Sequence, residues 1–242
     1  MRFFDKMMIE NNGIQKDVSD TVVHRALLRR KKFLQCVYRA WYTLLLERRG
    51  PGSVVEMGGG PSIIKDIDAR VVVADILPLP WIDIVCDNRC LPFPDASVGR
   101  FIMINVFHHV TDAAQFLQEM ERCLVSGGDI CMIEPSATAW AWFVWKVLHP
   151  EPFIPKQGDW SFSGASFLRD SNSALPWIVF KRDAKRFSES FPTFSCEEYR
   201  AHMPFAYLAS GGFTKWQFVP NWCAQPVFNF CKKVKFFDAL GM

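Results

Sequence analysis

Three consecutive glycines at positions 58–60 constrain this chain more than any other feature. They directly follow a short apolar run at residues 53–57, and after a helix-length segment a second apolar run at residues 71–74 ends at Asp75. Glycines after a strand let the backbone turn tightly and leave no side chain between the main chain and a ligand. A carboxylate at the end of the next strand is placed to accept both hydroxyls of a ribose. The stretch is therefore predicted to be half of a nucleotide-binding β-α-β unit.

The residues around the glycines decide which nucleotide fits. A dinucleotide site has the pattern Gly-x-Gly-x-x-Gly, in which the third glycine lets the helix pack closely on the strand and point its N-terminus at a pyrophosphate. Here Ile63 occupies the third position and Glu56 precedes the loop, so a phosphate-bearing ligand is disfavoured. S-adenosylmethionine (SAM) has a ribose, no phosphate and a cationic amino-acid end, and it suits an acidic loop better. A plain tight turn is the alternative interpretation of the glycines alone.

Composition favours a folded α/β chain. The 242 residues, half of them apolar, are enough for one α/β domain with some additional segments. The eight cysteines form no C-x-x-C pair, so core thiols in a reducing cytoplasm are expected rather than disulfides or zinc ligands. No apolar run reaches the 18 or so residues of a spanning helix, and the N-terminus is too charged for a signal peptide. The sequence thus predicts a cytoplasmic protein.

The first 50 residues are basic, with 11 Lys and Arg against 5 Asp and Glu. Apolar residues recur there every three or four positions from Asp20, a suitable cap, and the predicted helix ends near Gly50. Residues 1–19 are expected to be irregular or a short helix, and the basic cluster at residues 29–32 is a predicted break. The basic face is interpreted as solvated, with contact to anionic lipid or an anionic substrate as the alternative.

The strand pattern continues beyond the glycine loop. Short apolar runs predict three further strands, at residues 82–86, 100–104 and 129–135. Between the last two, a helix is predicted to begin at Thr111 or Asp112, with Gln115 in capping-box register. Residues 126–128, Ser-Gly-Gly, are predicted to stop this helix before the fifth strand.

Residues 56–60, Glu-Met-Gly-Gly-Gly, resemble the acidic-x-Gly-x-Gly motif of the class I SAM-dependent methyltransferases. The chain after this motif is similar to that family in the same order: a strand and Asp87, Leu-Pro-Phe, Asp-x-Ser, a strand ending in two histidines, a helix, Gly-Gly and a strand. Two positions depart from the family, which usually has Phe-Asp where residues 98–99 are Val-Gly and Pro where Ser126 stands. The resemblance covers residues 53–135 with five elements in order.

This resemblance implies a Rossmann-like α/β fold with a seven-stranded, mostly parallel sheet whose last strand is antiparallel. It implies SAM as the cofactor and places Asp75 at the ribose and Asp87 at the adenine amino group. The residues expected to bind the cofactor are Glu56, Gly58, Gly59, Gly60, Asp75, Ile76, Asp87, Asn88 and Asn105.

The chain is accordingly divided into a helical extension at residues 1–50 and a methyltransferase domain at residues 51–242. A helix and an antiparallel strand pair are expected to complete the sheet, at residues 197–210, 213–219 and 227–234. Residues 136–196 are too many for a connection, so they are predicted to form an inserted substrate cap beside the site. The aromatic residues of this insertion are interpreted as cap core, or alternatively as a surface for a flat acceptor or for the membrane interface.

Methyl transfer from a sulfonium is an in-line displacement in which the protein mostly positions the reactants and removes water. A hydroxyl acceptor additionally needs a base within hydrogen-bond reach. His108 and His109 at the end of the fourth strand and Glu134 at the end of the fifth are the candidates, with His149 and Glu151 as weaker ones. No metal-ligand spacing, phosphate-binding Lys loop or nucleophile elbow is present, and no metal is expected.

The sequence therefore predicts a SAM-dependent methyltransferase that acts on a small-molecule, glycan or lipid-linked acceptor, at oxygen. No nucleic-acid partner is expected, and peripheral contact with the inner face of the membrane stays open. A SAM-binding scaffold without catalysis would retain the same binding residues. A nicotinamide-dependent oxidoreductase would need the third glycine that this chain lacks. The acceptor, the methylated atom and the oligomeric state are not determined by the sequence.

Overall fold

Five parallel strands form one sheet in the order β3-β2-β1-β4-β5. The strands are β1 Ser53–Met57, β2 Val72–Asp75, β3 Ile84–Val85, β4 Val98–Ile104 and β5 Leu124–Ile133. Within the described residues, the α-helices of five or more residues are α1 Phe3–Arg30, α2 Lys32–Leu46, α3 Ala113–Cys123, α4 Ala184–Ser190, α5 Ala206–Ser210 and α6 Ala224–Lys233. The computed structural model describes residues 3–47, 50, 52–138, 141–144, 151–162, 171–200 and 205–233, with side chains from residue 13 onward.

The register of the sheet brings the carboxyl ends of its strands to one edge. Met57 at the end of β1 pairs with Ala74 of β2, and Ile104 at the end of β4 pairs with Ile133 at the end of β5. In a parallel sheet this edge is where ligands bind. The glycine loop, Asp75, the histidine pair after β4 and Glu134 after β5 therefore lie at the same edge.

Both faces of the sheet are covered, which explains why its strands are almost continuously apolar. Phe101 and Met103 of β4 point into a core with α3, whereas Ile102 between them points into a core with α2. This alternation is the two-residue period of a strand. The five predicted strand positions are confirmed, although β3 has only two residues.

The N-terminal segment forms two long helices. Helix α1 begins at Phe3, so residues 3–19 are neither irregular nor a short helix, and Asp20 lies inside the helix rather than at its cap. The predicted break occurs at Lys31, whose extended backbone separates α1 from α2. Lys31 is buried, and its Nζ donates to the carbonyl oxygens of Gly212, Thr214 and Trp216 at 2.7, 3.3 and 2.9 Å. One member of the basic cluster is thus a structural link, not part of a solvated face.

Helix α3 begins as predicted and ends earlier than predicted. Asp112 caps it by accepting a hydrogen bond from the backbone N–H of Gln115 at 3.0 Å. Strand β5 then starts directly at Leu124, because Leu124 pairs with Val98 of β4 and is buried there. The glycines at 127 and 128 lie within β5 and do not stop the helix.

The helix-length segment after the glycine loop does not form an α-helix. It contains a single 3-10 turn, Ile64–Asp66. The sheet face that a helix would cover here is packed by α2 instead, since Phe33 and Val37 share a core with Ile64 and Val73. The N-terminal extension therefore takes the place of a crossover helix.

The predicted antiparallel strand pair is wrong. Residues 213–219 contain no strand, and residues 227–233 lie in α6. Phe228 of α6 is buried and Val227 and Cys231 are half-buried against α2, a helical spacing that short apolar runs do not distinguish from a strand. The described sheet thus has five strands, not seven. Of the helix predicted at residues 197–210, α5 is helical, residues 197–200 are irregular, and residues 201–204 lie outside the described residues.

The described part of the predicted insertion packs against α3. A helical turn at Leu175–Trp177 continues as a π-helical turn at Ile178–Arg182 and is followed by α4. Trp160, Ile178 and Phe187 belong to the same core as α3 residue Phe116. Trp160 and Phe187 are therefore core residues. Of the aromatic residues near the start of the insertion, Phe153 is half-buried against this core and contacts Trp142, whereas Phe143 is 51% exposed. Trp140 and Trp145 lie outside the described residues.

Two further expectations concern thiols and membrane spans. All eight cysteines are free thiols. Within the described ranges, none of the helices has the length and apolar content needed to cross a bilayer.

Candidate active site

A large cavity opens at the carboxyl edge of the sheet, with a volume of about 1260 Å³. It contains most of the residues that the sequence predicts for the site: Gly58, Gly60, Asp75, Ile76, Asn88, Asn105, His108, His109 and Glu134. Glu56, Gly59 and Asp87 are not among its lining residues. Helix α1 flanks the cavity with Asp17 and His24. The fold therefore brings the predicted cofactor and catalytic residues into one space.

The glycine loop is packed so closely that its glycines are required. A Cβ atom on Gly58, whose φ is +64°, would lie 2.5 Å from a methyl carbon of Val106, and one on Gly59 would overlap Val73. The N–H of Gly59 donates to the carbonyl of Ala74 at 3.0 Å. The loop is thus fixed against β2 and β4 with its backbone facing the cavity.

Asp75 holds this loop and also faces the cavity. Its Oδ2 accepts from the N–H of Gly60 at 2.7 Å, and its Oδ1 accepts from the N–H of Leu77 at 2.8 Å. Burial raises the pKa of Asp75, while the two backbone donors work in the opposite direction. A carboxylate oxygen accepts more than one hydrogen bond, so these contacts leave capacity for ligand hydroxyls.

Glu56 binds other protein groups. Its carboxylate accepts from the Tyr42 hydroxyl at 2.7 Å and from the Ser62 hydroxyl at 2.6 Å, and it is 2% exposed. Burial raises its pKa to about 7 although the two hydroxyls favour the charged form. Glu56 thereby ties α2 to the segment after the glycines. No local pattern in the sequence indicates this link, because Tyr42 lies on a separate helix.

A second connection joins α1 to the loop. The indole N–H of Trp81 donates to the carbonyl of Gly60 at 2.7 Å, and the Arg25 guanidinium lies 4.1 Å from the centre of the Trp81 ring. Arg25 also donates to the carbonyl of Ser62. The N-terminal helices are therefore part of the site's framework.

The end of β3 and the end of β4 provide the remaining predicted cofactor residues. Asp87 pairs with Arg89 at 2.6 Å, a contact that lowers the pKa of Asp87, and its neighbour Asn88 lines the cavity. Asn105 has a left-handed backbone with φ of +55°. Such a conformation is uncommon outside glycine and occurs often at functional sites.

The predicted catalytic residues form a connected cluster. His108 lies on the 3-10 turn Phe107–His109 directly after β4, and Glu134 follows the adjacent β5. Nδ1 of His108 is 2.7 Å from Oε2 of Glu134, whose Oε1 accepts from the N–H groups of Val106 and Phe107, both at 2.7 Å. The ring of His109 lies 4.2 Å from that of His108. Glu134 is thus fully engaged in holding the turn and the imidazole.

Glu151 joins this cluster from the predicted insertion. Its Oε2 lies 3.3 Å from Nε2 of His108. Burial alone would lower the pKa of His108, but Glu134 and Glu151 outweigh it and raise that pKa to about 9. The two carboxylates therefore favour the protonated form of His108, and its predicted role as a base stays a prediction. His149, the other weaker candidate, lies outside the described residues.

Known proteins that are similar to this chain are methyltransferases. Residues 36–132, which include the glycine loop and the histidine pair, match a family described as a methyltransferase domain. A demethylmenaquinone methyltransferase of Listeria monocytogenes is 28% identical over 190 residues, which are 74% of this chain and 76% of the relative. A probable S-adenosylmethionine-dependent methyltransferase of Mycolicibacterium smegmatis is 34% identical over 89 residues, 33% of this chain and 35% of that one. Among solved structures, a putative methyltransferase from Anabaena variabilis aligns with 64% of this chain and 60% of its own, at 17% identity and a TM-score of 0.37.

The burial of Glu56 predicts a specific pH dependence of stability. Its folded pKa of about 7 lies above the ordinary value of 4.5, so its contribution is fully present below pH 4.5 and is lost as pH rises to 7. At about 1.4 kcal/mol per pKa unit, roughly 3 kcal/mol is involved. Glu56→Gln, which mimics the protonated form, should flatten this part of the curve of unfolding free energy against pH, measured by urea denaturation. Glu189→Gln, at an exposed position of α4, is the control and should leave the curve unchanged. If Glu56→Gln also leaves the slope between pH 4.5 and 7 unchanged, the raised pKa of Glu56 is contradicted.

Proposed function

We propose that this chain, which is similar to the class I SAM-dependent methyltransferases, transfers the methyl group of SAM to a hydroxyl oxygen of a small-molecule or glycan acceptor. The observation that carries this proposal is that the His108–Glu134 pair lines the same cavity as the glycine loop and Asp75. Donor and acceptor would then meet at the carboxyl edge of the sheet.

The residues at this edge fit SAM. We assign the ribose hydroxyls to Asp75 and the adenine to Ile76 and Asn88, with Asp87, which does not line the cavity, next to Asn88 in the chain. The amino-acid end is assigned to Gly58, Gly60 and Asn105, where bare backbone faces the cavity. Glu56 and Gly59 position the loop, since Glu56 binds Tyr42 and Ser62 and Gly59 packs on Val73.

SAM supplies an activated methyl group on a sulfonium, so the chain has to orient the acceptor and manage one proton. The acceptor oxygen would form a bond to the methyl carbon while the bond from sulfur to that carbon breaks, and the hydroxyl proton would pass to water. We assign contact with the acceptor oxygen to His108 and His109, which line the cavity after β4. Glu134 is a positioning residue, because its oxygens are taken by His108 and two backbone N–H groups.

The cofactor assignment is tested by calorimetry with S-adenosylhomocysteine. Asp75→Ala should weaken binding by about 1.5 to 3 kcal/mol, roughly 10- to 150-fold, through loss of charge-assisted hydrogen bonds. Asp95→Ala, at an exposed carboxylate outside the cavity lining, is the matched control and should bind as the unchanged protein does. Equal affinity of Asp75→Ala would mean that the ribose lies elsewhere, and binding of NAD in place of S-adenosylhomocysteine would favour an oxidoreductase.

The acceptor class is tested by a SAM-consumption screen over phenols, sugars and lipid-linked sugars. One of these classes should be methylated at oxygen. His108→Ala should lower kcat by about 10²-fold, the usual cost of a misplaced reactant, while binding of S-adenosylhomocysteine is retained. His24→Ala replaces a histidine on the α1 side of the cavity and should lower kcat far less. Binding of S-adenosylhomocysteine without turnover in any class would favour a non-catalytic scaffold.

We also propose that the protein contacts an anionic bilayer peripherally, through a surface around Trp222. Trp216, Phe218, Trp222 and Phe230 are exposed there, by 51, 75, 86 and 67%. Asn221 joins this surface to the basic cluster, since its amide group donates to the carbonyl of Arg30 and accepts from the N–H of Lys32, both at 3.0 Å. This surface differs from the insertion that the sequence suggested.

Charge supports a lipid partner for this surface. The side chains of Arg30, Lys32, Lys215, Lys232 and Lys233 are exposed. Each basic residue near an anionic bilayer contributes roughly 1 kcal/mol, and Trp is favoured at the interface. A lipid-linked acceptor would then be reached at the bilayer surface.

Vesicle flotation tests the contact. The protein should float with vesicles containing phosphatidylglycerol at low salt and not with phosphatidylcholine alone, and the double variant Trp222→Ser, Phe230→Ser should remain in the soluble fraction. Phe143→Ser removes an exposed aromatic residue elsewhere and should float normally. No flotation by the unchanged protein would contradict the proposal. A change of oligomeric state in the double variant, seen by analytical ultracentrifugation, would show a second copy on this surface instead.

A further inference from the structure

The side chains of His108, His109 and Glu151 converge at the acceptor side of the cavity. Their ligand-type atoms all lie within 4.8 Å of one another. All three residues line the cavity. We propose that they form a binding site for a divalent transition metal, with Zn²⁺ as the first candidate.

The spacing of the donor atoms fits such an ion. Tetrahedral Zn²⁺ with ligands at about 2.0 to 2.1 Å separates its ligand atoms by about 3.4 Å. Nε2 of His108 and Oε2 of Glu151 are 3.3 Å apart. The ring centroids of His109 and His108 are 4.2 Å apart. The His109 ring therefore has to rotate to bring one of its nitrogens to about 3.4 Å from the other two donor atoms. Two imidazoles and one carboxylate favour Zn²⁺, Fe²⁺ or Co²⁺ over Mg²⁺ and Ca²⁺, which prefer oxygen ligands.

Glu134 provides the outer contact that metal-binding histidines usually have. It accepts from Nδ1 of His108 at 2.7 Å and is itself held by two backbone N–H groups. This contact fixes the ring so that Nε2 faces Glu151 and the cavity. Carboxylate, imidazole and metal in that order is a frequent arrangement, and it makes the imidazole a better ligand.

The charge of the cluster also calls for a cation. Glu134 and Glu151 place two carboxylates on one imidazole, with their side chains 5 and 32% exposed. Buried charges in proteins are usually paired or coordinate a metal, and Glu134 is buried while Glu151 is partly exposed. A divalent ion between Nε2 and Glu151 supplies positive charge at this point.

The ion's function rests on the proposed methyl transfer, whereas its binding does not. Three protein ligands leave at least one position for the acceptor hydroxyl, and a metal lowers the pKa of a hydroxyl bound to it. The hydroxyl proton passes to water, the oxygen forms its bond to the methyl carbon, and the bond from sulfur to carbon breaks. His108 then acts on the acceptor through the metal rather than as a base.

Metal binding is measured on protein freed of metal with a chelator. Titration with Zn²⁺ in a calorimeter should reveal one site, and Co²⁺ should give the visible absorption bands of a tetrahedral complex. Glu151→Gln and His109→Gln, which leave His108 and Glu134 in place, should each weaken Zn²⁺ binding at least tenfold and reduce the Co²⁺ bands. His24→Gln removes a histidine from the same cavity outside the cluster and should bind as the unchanged protein does.

Absence of Zn²⁺ binding by the unchanged protein would overturn the site. Zn²⁺ binding by both variants as tight as that of the unchanged protein would also overturn it. Calorimetry with S-adenosylhomocysteine on the same samples separates this result from the proposed function. Protein that binds S-adenosylhomocysteine and no metal would disprove the metal site alone. Protein that binds Zn²⁺ at the cluster and no S-adenosylhomocysteine would support the site and contradict the cofactor assignment. Methyl transfer that persists in the chelator-treated protein would overturn the role of the ion.

Discussion

Everything at the site depends on the parallel register of β1, β2, β4 and β5. Because Met57 lies beside Ala74 and Ile104 beside Ile133, four chain segments leave the sheet at the same edge. The glycine loop, Asp75, the His108 turn and Glu134 lie at the ends of those strands. A shift of one residue in any pair would turn the side chains to the other face and separate them. The cavity is thus a consequence of strand pairing, and the apolar faces that fix this pairing are as necessary as the polar residues.

Buried polar contacts then attach the N-terminal helices to this edge. Glu56 reaches Tyr42 of α2, and Trp81 connects Gly60 to Arg25 of α1. Lys31, at the break between the helices, holds the turn after α5 through three carbonyl groups. Such groups are costly to bury without partners, so they define one arrangement of the helices on the sheet. Helix α2 can therefore cover the sheet face where a crossover helix was expected after the glycines.

The sequence predicted those parts of the fold that depend on neighbouring residues. The five strands were recognisable as short apolar runs, and Asp112 with Gln115 marked the start of α3 because a cap involves residues three positions apart. The incorrect predictions concern parts of the fold that depend on contacts between residues far apart in the sequence. The apolar residues of α6 suit a strand equally well until their packing against α2 is known. Nine of the twelve predicted cofactor and catalytic residues line the cavity, while the link from Glu56 to Tyr42 had no local pattern.

The two buried carboxylate clusters illustrate how similar chemistry serves different purposes. Glu56 is surrounded by hydroxyl donors from the protein and does not line the cavity, so its hydrogen bonds are used for structure. Glu134 is also buried, yet one of its oxygens binds a histidine whose second nitrogen faces the cavity. Glu151 meets that nitrogen from the segment following β5, 43 residues after His108, which is why no spacing in the sequence revealed the cluster. A carboxylate that fixes one side of an imidazole and leaves the other side toward a ligand space is built to act on what enters that space.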